Sequence, residues 1–187
     1  MTDTLREKKT ALRRTIRARA EALTEEYRRD ADAAIRRAVL QSGIWQRAES
    51  VFIYVSMWAE PDTRGLLADA LGEGKALYVP LCRADRTMEA VRIRSLAQLR
   101  PGTRGIPEPP EEGERSQTPD LAIVPCVCAS RDGRRLGHGA GYYDRFLEKT
   151  PCRTLCLCYE ALLSEEIPTD EHDVRMDAVV TEKRMRK

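Results

Sequence analysis

Long apolar runs are absent from this 187-residue chain. The longest strongly apolar stretch, Val51 to Val55, is far shorter than the roughly 20 residues that span a bilayer, so no membrane role is expected. The N-terminus has no hydrophobic signal core; its first 20 residues carry seven basic and two acidic side chains instead. A cytoplasmic location follows as the expectation. C-x-x-C spacing is missing, and the two histidines stand away from the six cysteines, which argues against zinc. A disulfide framework would need a secreted context. Cys126 and Cys128, and likewise Cys156 and Cys158, stand two apart inside apolar segments, where a strand turns both members of a pair to one face. They read as reduced, buried, small hydrophobes. Aromatic residues are scarce at 5% and the net charge is only +2, so no nucleic-acid partner is expected. There are no repeats, no low-complexity tracts and no composition shift, which leaves one domain over residues 1–187. No long exposed apolar helix face is evident, and a monomer is expected.

What is present is enough apolar material for a core, 42% of residues, beside 33% charged ones. Residues 4–40 read as helix with a break near Leu23-Thr24. Leu5, Leu12, Ile16 and Leu23 recur at spacings of seven, four and seven and draw one apolar stripe. Lys9 and Arg13 fall at the edge of that stripe. They are either part of a solvated basic face or able to lean over a ligand. Val51 to Val55 reads as a strand buried on both faces. Asp62 or Thr63 is suited to cap a helix over 64–71, ended by Gly72 and Gly74. Further strands are expected at 76–79, 88–93, 121–124, 154–159 and 178–181, with a helix over 142–149. Residues 101–119, rich in Pro, Gly and Glu, read as a long loop. Strands alternating with helices give an α/β class with a mostly parallel sheet.

The local chemistry concentrates in Gly137-His138-Gly139-Ala140-Gly141-Tyr142-Tyr143-Asp144, between a strand and a helix. Alternate glycines let the backbone approach a ligand. Successive N–H groups in front of a helix N-terminus make an anion site, with phosphate the natural guest. A tight structural turn would use the same glycines, and the run matches neither the dinucleotide fingerprint nor the P-loop. Asp144 in the first helical turn is a sensible magnesium ligand beside phosphates, or simply a charge that offsets the helix dipole. Asp177, just before the last strand, is a second carboxylate that could reach such a metal; by itself it reads as a surface residue.

The stretch from Val124-Pro125 through Arg131-Asp132-Gly133-Arg134-Arg135-Leu136 to Gly137–Leu147 resembles the signature of the 5-formyltetrahydrofolate cyclo-ligase family. Lys9-x-x-Leu12-Arg13, Tyr54 to Met57 with Glu60-x-Asp62-Thr63, Gly105 to Pro109, and Ile167-Pro168 with His172-Asp173 and Asp177 to Thr181 agree in the family's order. The resemblance implies a Rossmann-like three-layer α/β/α sandwich. It implies an enzyme that closes 5-formyltetrahydrofolate, with or without a polyglutamate tail, to 5,10-methenyltetrahydrofolate with ATP and Mg2+. Under it, Lys9, Arg13, Arg135, Leu136, Gly137, His138, Gly139, Ala140, Gly141, Tyr142 and Tyr143 would bind ATP, and Asp144 and Asp177 would hold magnesium. Val55, Glu60 and Tyr142 would meet the folate, while Tyr142 and Arg135 would serve catalysis. The position of His138 is often arginine in relatives, and Leu162 stands where many have glutamine. The rival readings are a non-catalytic sensor, a basic nucleic-acid module, and a sugar-phosphate isomerase or acyl-CoA transferase on a related sheet, the last by fold analogy alone.

Overall fold

The amphipathic N-terminal segment folds as two helices, α1 (Asp3–Glu21) and α2 (Glu25–Leu40), in a computed structural model that describes residues 3–57, 59–102, 105–116, 118–183 and 185–186. The break falls where it is expected. Thr24 is the N-cap, its hydroxyl accepting from the Tyr27 N–H at 3.1 Å, with Glu25 and Glu26 in the favoured acidic first turn. A short helix, α3 (Gly43–Arg47), was not foreseen, because five residues carry too little periodicity to register.

Alternation then begins with β1 (Ser50–Ile53), α4 (Arg64–Gly72), β2 (Ala76–Cys82) and β3 (Met88–Ile93). Three two-residue strands, β4 (Arg100–Pro101) at the entry to the expected loop of 101–119, and β5 (Pro107–Glu108) and β6 (Arg115–Ser116) within it, were not expected there; Thr103, Arg104 and Gln117 lie outside the described residues. Strands this short carry no readable pattern, and proline at two of their six positions argued against pairing. After them come β7 (Leu121–Val124), β8 (Cys128–Ala129), β9 (Arg135–Leu136), α5 (Tyr142–Glu148), β10 (Arg153–Leu157), β11 (Ala178–Val180) and β12 (Met185–Arg186).

The main sheet has the order β12-β11-β10-β7-β1-β2-β3-β6. Its inner pairs, β11 with β10, β10 with β7, β7 with β1 and β1 with β2, are parallel, and the edge pairs are antiparallel. Val51, Phe52, Ile53 and the whole of β7 expose nothing, as apolar central strands covered on both faces should. From β1 the chain crosses through α4 to β2 on one side; from β7 it crosses through α5 to β10 on the other. Right-handed crossovers running in opposite directions put their helices on opposite faces, which gives the three-layer α/β/α architecture expected. The direction reverses between β1 and β7, so a crevice opens outside their carboxyl ends, where sheets of this kind bind ligands. Beneath it Phe52 packs on the ring of Phe146 at 4.7 Å and of Tyr143 at 6.3 Å, which fixes α5 to the sheet. Phe52→Ala should therefore cost about 3–5 kcal/mol, read as a lowered urea midpoint with an unchanged slope.

Candidate active site

The crevice is a cavity of about 800 Å³, in the size range of small-molecule sites. Tyr54 and Val55 reach it because the apolar run of β1 outlasts its sheet pairing, which ends at Ile53. Thr63 anchors that exit: its hydroxyl donates to the Tyr54 carbonyl at 2.7 Å and accepts from the Ser56 N–H at 3.1 Å. It is the N-cap of α4 without a side-chain cap bond; Asp62 accepts from the Arg64 N–H at 3.1 Å instead. Pro125 and Cys126, just past β7, line the same space.

Every position from Arg135 to Asp144 borders the cavity. Gly139 has φ +106° and Gly141, the N-cap of α5, has φ +71°, a region that favours glycine. A Cβ at Gly139 would meet the Arg13 guanidinium carbon at 3.4 Å. Arg13 Nε donates to the Gly137 carbonyl at 2.8 Å, so α1 clasps the loop. Burial first, and Arg17 second, lower the Arg13 pKa, though a guanidinium stays charged.

Arg135 is buried. Its Nη2 donates to Asp144 Oδ1 at 2.6 Å and its Nη1 to the Pro125 carbonyl at 3.2 Å. The guanidinium lies over the Tyr143 ring at 5.7 Å. Its Nε is the one buried side-chain polar atom without a hydrogen-bond partner among the described residues. Burial, the largest single influence, pulls its pKa down, but the Asp144 charge, the bond to Asp144 and the neighbouring Cys156 and Cys126 together outweigh it and leave the pKa raised. Arg135 thus braces Asp144 from inside the wall. Among the described residues no three His, Cys, Asp or Glu side chains gather into a metal cage. Magnesium needs none, since it usually takes one or two carboxylates with substrate phosphates and water. Asp144 fits that requirement: Arg135 holds one of its oxygens and its side chain borders the cavity.

Asp177 does not join it. Its carboxylate accepts from the Thr154 N–H at 2.8 Å, the Thr154 hydroxyl at 3.0 Å and Arg153 at 3.2 Å. That places it at the amino ends of β10 and β11, whereas the cavity opens at the carboxyl ends of the strands. Asp173 is the second carboxylate on the Asp144 side: it borders the cavity, and the N–H of the next residue, Val174, approaches Asp144 Oδ1 at 3.4 Å.

Lys9 Nζ lies between Asp173 Oδ2 at 2.6 Å and Asp170 Oδ2 at 3.1 Å. Sequence reasoning missed both partners. Only their pairing with Lys9, 161 and 164 positions away, would have exposed them. Glu60 is buried; its Oε2 accepts from the Met57 N–H at 2.9 Å and its Oε1 lies 2.9 Å from His138 Nε2. Tyr142 donates its hydroxyl to the Arg83 carbonyl at 3.2 Å. Leu162 is a buried apolar piece of the wall. Lys9, Arg13, Val55, Glu60 and the whole 135–144 run therefore share one cavity, and Asp177 alone of the expected site residues stands outside it.

Burial works against the Lys9 charge, but the bonds to Asp173 and Asp170 outweigh it and leave the pKa raised. For Asp170 burial works upward, and the Lys9 and His172 N–H bonds outweigh it and leave the pKa lowered. The raised Lys9 contributes fully below its ordinary 10.5 and loses that contribution as pH rises through the folded value. The lowered Asp170 contributes fully above an ordinary carboxylate value of about 4 and loses it as pH falls through the folded value. In Lys9→Met the two carboxylates face each other uncompensated. The loss of stability on acidification below about pH 4 should be shallower than in the parent chain, as read from urea midpoints across pH.

The 5-formyltetrahydrofolate cyclo-ligase family matches residues 5–182. A 5-formyltetrahydrofolate cyclo-ligase from Mus musculus is 28% identical over 194 residues, covering 96% of each chain. One from Mycolicibacterium smegmatis is 33% identical over 153 residues, 76% of this chain and 78% of its own. The solved structure of a 5,10-methenyltetrahydrofolate synthetase from Aquifex aeolicus superposes with a TM-score of 0.84 at 31% identity, covering 96% of this chain and 92% of that one. The match runs almost end to end and takes in every segment of the cavity wall: the chain belongs to the 5-formyltetrahydrofolate cyclo-ligase family of enzymes.

Proposed function

We propose that the chain converts 5-formyltetrahydrofolate to 5,10-methenyltetrahydrofolate, consuming ATP in the presence of Mg2+ and releasing ADP and phosphate. The observation that carries this reading is the convergence of Lys9, Arg13, Val55, Glu60 and the 135–144 run on one cavity at the reversal point of the sheet, in a member of this family.

A formamide carbon is a poor electrophile and its oxygen a poor leaving group. In the proposed reaction the formyl oxygen attacks the γ-phosphorus of ATP and ADP leaves. N10 of the folate then attacks the activated carbon, loses its proton, and phosphate departs with the former formyl oxygen. Phosphoryl transfer asks the protein mainly for alignment and charge stabilisation. The glycine-loop N–H groups and Arg13 supply donors on the phosphate side. Lys9 joins them by exchanging an aspartate for a phosphate oxygen. Asp144, with Asp173 beside it, would hold Mg2+, which when bound screens charge on the phosphates. Arg135 acts through Asp144, and no cysteine has a role. Tyr142 would meet the formyl group or the γ-phosphate. The protein acts in the cytoplasm in this reading.

Purified protein should raise the methenyl-folate absorbance band only when ATP and Mg2+ are both present. Asp144→Asn should abolish the rise and Asp177→Asn, if folded, should keep it. ATP binding without any rise in the parent chain would contradict the enzyme reading and favour a non-catalytic binder.

A further inference from the structure

The 135–144 loop is held from two sides. On one side Arg13 donates to the Gly137 carbonyl and lies against Gly139. Between those two glycines, the His138 side chain reaches the other way, its Nε2 at 2.9 Å from Glu60 Oε1. The Glu60 side chain is 6% exposed and that of His138 is 47% exposed. A buried carboxylate with its remaining oxygen on the Met57 N–H can only accept, so His138 Nε2 is the donor of the pair. Glu60 is thus fixed at both oxygens, one by backbone and one by His138, and each oxygen keeps a second lone pair for a ligand. Neighbouring charge is already placed: Arg145, just past the loop in α5, donates to the Arg86 and Ala140 carbonyls, and Arg135 is committed to Asp144.

We infer that His138 is a positioning residue for Glu60, the carboxylate that would meet the folate, and not a ligand of the ATP phosphates. The inference rests on the folate and ATP reading above and refines it. It reassigns one residue within the loop: the backbone around His138, beside Arg13, would meet the phosphates, while its imidazole holds the Glu60 carboxylate that would accept from folate N–H groups. A carboxylate left to swing between rotamers would bind those donors less well, whereas one pinned by a charge-assisted bond is presented in a single orientation.

The test is isothermal titration of the folded full-length chain with 5-formyltetrahydrofolate and, separately, with a non-hydrolysable ATP analogue and Mg2+. His138→Ala should weaken folate binding about tenfold, in keeping with one charge-assisted bond, and leave nucleotide binding within about twofold. His138→Gln, which keeps an N–H donor, should recover part of the folate loss. Kinetics should show the same split, with the KM for folate raised, the KM for ATP unchanged and kcat nearly kept. Weakened nucleotide binding with unchanged folate binding would overturn the inference and make His138 a phosphate ligand. Equal loss of both, or no loss of either, would also overturn it. If the parent chain itself binds neither ligand, the proposed function fails and the inference with it; a parent chain that binds both, with a His138→Ala variant that does not discriminate, fails the inference alone.

Discussion

One ammonium group ties the two ends of the chain together across the cavity. Lys9 Nζ is held by Asp173 and Asp170, and through that contact α1 lies where Arg13 can grip the glycine loop. A charge taken out of water needs partners of opposite sign, and here the partners come from a segment more than 160 residues away. The wall of the cavity is consequently a long-range structure. The Lys9 side of it exists only where both end segments of the described chain meet over the carboxyl edge of the sheet.

The same economy runs through the other charges. Arg135 is satisfied by Asp144 and a carbonyl, Arg13 by a loop carbonyl, and Glu60 by His138 and a backbone N–H. Two of the cavity's cations face carboxylates, Lys9 on Asp173 and Asp170 and Arg135 on Asp144, while Arg13 rests on a carbonyl. In the proposed reaction an entering anion would gain by exchange, replacing an aspartate at Lys9 and leaving that aspartate available to a cation. Such exchange would keep the desolvation cost at Lys9 low in either state, because its ammonium keeps a partner of opposite sign. It also explains how a chain of net charge +2 can be suited to a polyanionic nucleotide without being strongly basic.

Much of this was legible in the residues. The parallel sheet could be read from apolar runs such as Val51 to Val55, and the helix break from Thr24, because both depend on short-range rules of pattern and capping. The glycine loop was visible for the same reason, since its backbone needs residues without side chains. The aspartates were harder. Asp173 and Asp177 stand four apart in one segment, and nothing local tells which faces the cavity. The answer lies in the register of β11 against β10, which hands Asp177 to Thr154 at the far edge of the sheet. The His138 contact was likewise hidden, because it needs the exit from β1 and the loop after β9 to meet in space.

Amide hydrogen exchange on addition of ATP and Mg2+ tests the central claim most directly, that the glycine loop beneath α1 is a nucleotide cradle. The account predicts slowed exchange concentrated in residues 136–144 and in the stretch of α1 around Lys9 and Arg13, with the amino ends of β10 and β11 around Asp177 unchanged. Protection confined to the Asp177 edge, or none in the loop at nucleotide concentrations that saturate binding, would contradict it.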